Sequence, residues 1–244
     1  MQPEEIVFVS HLAAPMLRAY FGDAIDLRPL SPSSRLPKET AAHADMLLFS
    51  RGDRLFVPAY YFEENQALFA GTDVTTAAET HGDKYPADIL MNAFVLQGCL
   101  YGRVDRVADA ILSDCGKEGI RPVPVRQGYA RCSAALLPEG AITADVGIYR
   151  ALRANGAEAL LIPAGHIELP GYDCGFIGGA SFYMDGCLYF FGSIEAHPAY
   201  EKINDFCISH GVTPVSLGNG PLCDYGGALV FRRQKKGNLC AEKK

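Results

Sequence analysis

Residues 104–143 read VDRVADAILSDCGKEGIRPVPVRQGYARCSAALLPEGAIT. Val104, Val107, Ala108, Ile111 and Leu112 fall at i, i+3, i+4, i+7 and i+8, the apolar stripe of a helix that packs one face on a core. Gly119 ends the stripe, and the run 120–125 (IRPVPV) has the look of a strand. A polar loop through Arg131, an apolar run 134–137, a Pro-Glu-Gly turn and a second apolar run 141–143 follow. The order is helix, strand, loop, strand, turn, strand.

Outward from this stretch the same order recurs. Downstream come helix 147–155, strand 157–162, a loop through Asp173, strand 180–184, an Asp185-Gly186 turn and strand 187–191. Helix 198–209, strand 212–217, a loop through Asp224 and strand 228–231 close the series. Upstream lie helix 11–21, strand 24–27, a loop through Asp45, strand 46–49, a Gly52-Asp53 turn and strand 55–57. The remaining copy has helix 61–69, strand 73–75, a loop through Asp88, strand 94–96, Gly98 and strand 99–101. These make units of about 45 residues each. The last lacks its final strand, while the chain opens with an unclaimed one, 6–9 (IVFV), and Ser10 and Pro15 after it echo Ser193 and Pro198. The expected fold is therefore α/β, a five-fold pseudosymmetric α/β propeller of ββαβ-type units closed by the N-terminal strand, which leaves no open sheet edge at the ends. A doubly wound open sheet is the alternative that alternating helices and strands also allow.

The composition fits one folded domain over 1–231: of 244 residues 49% are hydrophobic and 20% charged. The net charge of −6 lacks the positive field that non-specific nucleic-acid binding needs. Residues 232–244 (RRQKKGNLCAEKK) hold six basic residues against one acidic, leaving −11 for 1–231, and are expected to be a disordered basic tail. No stretch nears the about 18 apolar residues of a membrane span. The acidic start, MQPEE, is unlike a secretory signal, so the protein is expected in the cytoplasm with reduced cysteines. The eight cysteines show no zinc or redox spacing, and neither a metal nor a cofactor is expected. The oligomeric state is left open.

A closed ring of five such units resembles the pentein superfamily of guanidine-modifying enzymes, and the resemblance covers residues 6–231. That superfamily includes arginine and agmatine deiminases, dimethylargininase and amidinotransferases, with a non-catalytic branch typified by translation initiation factor six. The stretches GYARCSAALLPEGAITAD (128–145), GGASFYMDGCLYFFG (178–192) and PLCDYGGALVF (221–231) are most similar to an uncharacterised bacterial branch.

In a ring, the loop residues before each unit's second strand should converge: Asp45, Asp88, Arg131, Asp173 and Asp224. Asn92 stands in its unit where Asp45 and Ser133 stand in theirs. Four carboxylates and an arginine form an acidic mouth suited to a guanidinium, which pairs with carboxylates through two parallel hydrogen bonds. The resemblance implies thiol chemistry, with a cysteine attacking the amidino carbon and a histidine moving protons. The family's cysteine follows a glycine-rich stretch in the last unit, but here Gly226-Gly227 leads into Ala228-Leu229-Val230-Phe231. Cys223 is the first substitute, with Cys132 and Cys174 behind it. For the histidine, His166-Ile167-Glu168 and His43-Ala44-Asp45 both fit the His-x-acid setting. Two functions follow as expectations: a deiminase-like carbon–nitrogen hydrolase or transferase acting on a small guanidino or amidino compound, or a non-catalytic ring that binds a cationic small molecule, a metal ion or a protein.

Overall fold

The computed structural model describes residues 5–232. Strand β1 (Glu5–Ser10) leads through helix α1 (Ala14–Phe21) to β2 (Asp26–Leu30). A short helix α2 (Ala44–Leu47) precedes hairpin β3 (Phe49–Arg51) and β4 (Arg54–Pro58), after which α3 (Ala59–Glu64) leads to β5 (Val74–Ala77). Hairpin β6 (Phe94–Leu96) and β7 (Cys99–Gly102) is followed by α4 (Asp109–Lys117) and β8 (Arg121–Pro124). Next come β9 (Ala134–Leu136), β10 (Gly140–Thr143), α5 (Val146–Ala154) and β11 (Glu158–Leu161). Then follow β12 (Ser181–Met184), β13 (Cys187–Phe190), α6 (Tyr200–Ser209) and β14 (Thr213–Ser216), and β15 (Ala228–Arg232) ends the described chain.

The strands form five three-stranded sheets. Four are consecutive in sequence: an antiparallel hairpin, a helical crossover and a third strand parallel to the second. The fifth has the order β15-β1-β2, with Glu5 opposite Arg232 and Val9 opposite Ala228 in antiparallel register and β1 parallel to β2. The N-terminal strand thus completes the unit that the last strand begins. Arg232 belongs to β15, and the rest of the expected tail lies outside the described residues.

Sequence explains the layering. Each middle strand is an apolar run that packs on both faces, as in β10 and β7, where every residue is buried. Third strands are mostly half-buried or exposed, and three carry proline: Pro29 in β2, Pro122 and Pro124 in β8, Pro214 in β14. Proline offers no N–H to a further strand, so it blunts an edge. In the turn between β12 and β13, Asp185 and Gly186 both have positive φ, 47° and 78°, matching the twist of a tight hairpin.

Five apolar clusters lie where neighbouring units meet. Val7, Leu17, Phe182 and Phe191 join the β12-β13-β14 unit to the β15-β1-β2 unit, and Ile142, Leu188 and Ile203 join the β9-β10-β11 unit to the β12-β13-β14 unit. Two local expectations are corrected. The helix read over 104–112 begins at Asp109, because Arg106 donates to the Arg103 carbonyl in a turn and the Glu79 carboxylate accepts the Asp109 N–H at 2.7 Å. Negative charge at that end suits the helix dipole. The strand read over 46–49 is instead α2 followed by β3, and α2 aims Asp45 inward.

On the perimeter, Asp114 of α4 is buried and accepts from Arg51 Nη2 and Arg54 Nη1, each at 2.6 Å. This ion cluster ties α4 to the β3-β4 hairpin.

Candidate functional site

One chain of hydrogen bonds visits all five units and returns to its start. The Asp45 N–H donates to the Gly226 carbonyl at 3.1 Å, and Asn92 Nδ2 donates to the Asp45 carbonyl at 3.1 Å. Asn92 Oδ1 accepts from the N–H groups of Arg131 at 2.8 Å and Cys132 at 3.3 Å. The Gly179 N–H donates to the Cys132 carbonyl at 2.9 Å, and the Gly227 N–H to the Gly179 carbonyl at 2.7 Å. The segments before β3, β6, β9, β12 and β15 are thereby held together, and they bring buried polar side chains with them.

Asp224 is fixed from two sides. Its Oδ2 accepts the Phe176 N–H and its Oδ1 the Gly226 N–H, both at 2.9 Å. Gly179 must lack a side chain, since a Cβ there would overlap the Asp224 carboxylate. His43 Nδ1 lies 3.7 Å from Asp224 Oδ1. Burial, and after it the charge of Asp45, holds the Asp224 carboxyl well above the ordinary carboxylate range. Burial lowers the His43 imidazole, keeping it neutral near pH 7.

Asp45 is buried, and neither of its oxygens has an N–H or O–H partner. The half-buried Arg131 is the cation of this cluster. Its Nη1 donates to the Ala134 carbonyl at 3.0 Å, and its charge acts on Asp224 without forming an ion pair within 4 Å. Asn92 Nδ2 also lies 3.0 Å from Cys132 Sγ, whose thiol is pushed far up by burial and then by Asp45 and Asp224. Asp88, also buried, accepts from Tyr129 Oη at 2.7 Å, while its other oxygen is unpartnered. Burial and Asp88 keep that phenol protonated.

The structure brings together His43, Asp45, Asn92, Arg131 and Asp224. It leaves Asp173, His166 and Glu168 exposed. Asp173 lies well before Gly179, the residue through which its unit joins the hydrogen-bond chain. His166 sits edge-on to His197, centroids 5.4 Å apart. Glu168 pairs with Cys223 in an isolated parallel bridge, and burial raises the half-buried Cys223 thiol. Cys174, also half-buried, lines a separate cavity of about 200 Å³ with Ser133 and Phe176. Spacing alone missed Gly179, although the repeated Gly-Gly-Ala before β12 and β15 was its signal.

A cavity of about 350 Å³ has His43 and Asp224 at its buried end, Leu169 and Pro170 in its wall, and the exposed Lys38 and Glu39 at its rim. Among the described residues, no cysteine lines it. A second cavity, about 200 Å³, runs between the first strands of the sheets and is lined by Asp45, Arg131, Phe49 and Leu229 among others. Among the described residues no group of three or more His, Cys, Asp or Glu is arranged to hold a metal, and no helix is long and apolar enough to cross a membrane.

This architecture matches solved guanidine-modifying enzymes. A dimethylarginine dimethylaminohydrolase bound to S-methyl-L-thiocitrulline aligns at TM-score 0.56 with 12% identity, over 95% of this chain and 100% of that one. The enzyme from Pseudomonas aeruginosa, complexed with citrulline, aligns at 0.56 with 11% identity over 95% and 99%. Agmatine deiminase from C. jejuni aligns at 0.56 with 8% identity over 96% and 94%. All have the pentein fold, and the chain is a mixed α/β protein of that class. Within it, the model of a family of unknown function, DUF6873, matches residues 18–229, and the chain belongs to that family. No curated protein matches it.

Proposed function

We propose that the protein binds a small guanidino- or amidino-type cation in the cavity above His43 and Asp224, within a closed five-unit ring, and does so without a thiol nucleophile. The observation that carries this reading is the buried carboxylate pair, Asp45 and Asp224, which has one nearby arginine and no ion pair with it. Such a pair favours a donor-rich cation, and the cavity reaches Asp224 directly. The solved proteins of the same fold include agmatine deiminase and an enzyme holding citrulline, which supports the ligand class. The hydrogen-bond chain through all five units and the β15-β1 pairing support the ring.

Thiol chemistry needs an accessible, low-pKa cysteine. Cys132 and Cys223 are both raised, and neither lines the cavity. A second reading, Cys223 as nucleophile with His166 and Glu168, has one favourable feature: a hydrogen bond from Tyr225 lowers the Cys223 thiol against the larger effect of burial.

Melting curves with agmatine or methylguanidine test the first reading. At about 100 times Kd, binding should raise Tm by about 5 °C or more. The rise should saturate in the wild type and vanish in Asp224→Asn. A flat response to all guanidino and amidino compounds sinks it. Native alkylation of Cys223 with a midpoint well below about 8.5 would favour the thiol reading instead.

A further inference from the structure

We propose that cation binding in the His43–Asp224 cavity is coupled to release of about one proton held by the Asp45–Asp224 pair, so that the site loads at neutral pH and empties in acid. This rests on the cation-binding reading above, and it follows from counting charges in a buried cluster whose cavity has Lys38 and Glu39 at its exposed rim. The groups that face the pair are His43 from α2, Arg131 and Cys132 from the segment before β9, and Glu168, Cys223 and Tyr225 alongside Asp224 itself. Glu168 is exposed, so its charge faces water. The cysteine thiols and the Tyr225 phenol are raised and therefore neutral, as is the imidazole of His43.

What remains inside is two carboxylates and one guanidinium. If both carboxylates ionise, the cluster carries an uncompensated buried negative charge, which costs several kcal/mol unless a proton or a cation neutralises it. The buried Asp224 carboxyl is where that proton sits, because burial and the nearby Asp45 charge both disfavour its ionised form. The geometry divides the labour: two backbone N–H groups hold Asp224 in place at the cavity end, whereas Asp45 has no N–H or O–H donor and lines the neighbouring cavity. An incoming guanidinium, protonated at any working pH, supplies the missing positive charge. The balance is one cation bound, one proton transferred to buffer, with no covalent bond made or broken. The raised Asp224 carboxyl agrees with this count.

Calorimetric titration of the full chain with methylguanidinium chloride, in two buffers of different ionisation enthalpy, reads the coupling. About one proton should be released per bound cation at about pH 5.5 and close to none at about pH 9, with affinity rising about tenfold per pH unit on the acid side before levelling off. Asp45→Asn removes one carboxylate and no N–H or O–H hydrogen bond. It should bind with reduced affinity through Asp224, and with no proton release across that range. Binding without proton exchange at any pH in the wild type, or unchanged release in Asp45→Asn, overturns the coupling while leaving the cation reading intact. Absence of binding at every pH overturns both.

Discussion

Two regions bury carboxylates and treat them in opposite ways. At the perimeter, Asp114 is gripped by Arg51 and Arg54, both at 2.6 Å, and every charge has a partner. Around the candidate site, Asp45 has no N–H or O–H partner, Asp88 has one unpartnered oxygen, and Arg131 donates to a backbone carbonyl instead of a carboxylate. Nothing at the perimeter calls for a further molecule, so its role is to fasten α4. The groups around the site lack counter-charge, and a fold tolerates that where a ligand or a proton completes the set.

The sharpest way to break this contrast is at the packing that seats the Asp224 carboxylate. Gly179→Ala should cost about 4 kcal/mol or more, because the added carbon overlaps Asp224 and the backbone there is tied to its neighbours on both sides. Urea unfolding followed by circular dichroism checks it. Asp114→Ala should cost about 3 kcal/mol by leaving Arg51 without its partner and Arg54 with Glu118 alone, yet methylguanidinium affinity should not change. Equal losses of affinity and stability would erase the distinction between the two regions.

Acid should also separate them. His81 is buried, bonded to Tyr60 Oη at 2.8 Å, and lowered by burial to about 4. Between about 4 and 6.5 the unfolded chain binds the proton that folded His81 refuses. Stability is therefore full above about 6.5 and falls toward pH 4, by about 3 kcal/mol in total. Asp224 acts in the opposite sense, since a raised carboxyl favours the folded state in acid. The His81 share is the difference in pH dependence between the wild type and His81→Gln, measured by urea unfolding. The smallest expected effect is Asp45→Asn, which should leave stability within about 1 kcal/mol or raise it, since no N–H or O–H hydrogen bond is lost. A loss as large as that of Asp114→Ala would mean that Asp45 is a structural anchor.

The fold was legible because its unit is short and its punctuation strong. Apolar middle strands such as 140–143, tight turns such as Asp185-Gly186 and a missing last strand matched by the unclaimed 6–9 are local signals, and all three have counterparts in the sheets. The site was legible only in part. Asp45, Asn92, Arg131 and Asp224 could be placed near one another by equivalence between units. The unit of β12 misled because its acidic residue, Asp173, precedes Gly179 by six positions of loop, and spacing carries no measure of how a loop travels. His43 and His166 could not be separated, since their local settings match and only the distance to Asp224 distinguishes them. Gly179 is defined by what cannot be there, a contact that exists only once the chain is packed.

The antiparallel pairing of Glu5 with Arg232 has an engineering consequence. Residues far apart in number are hydrogen-bond neighbours, so a short linker between them would let the chain be reopened elsewhere. A permutant starting at the exposed Gly52-Asp53 turn would carry β15, β1 and β2 in sequence order, with β1 joined covalently to β15. The order in which units are written along the gene is then separable from the order in which they touch.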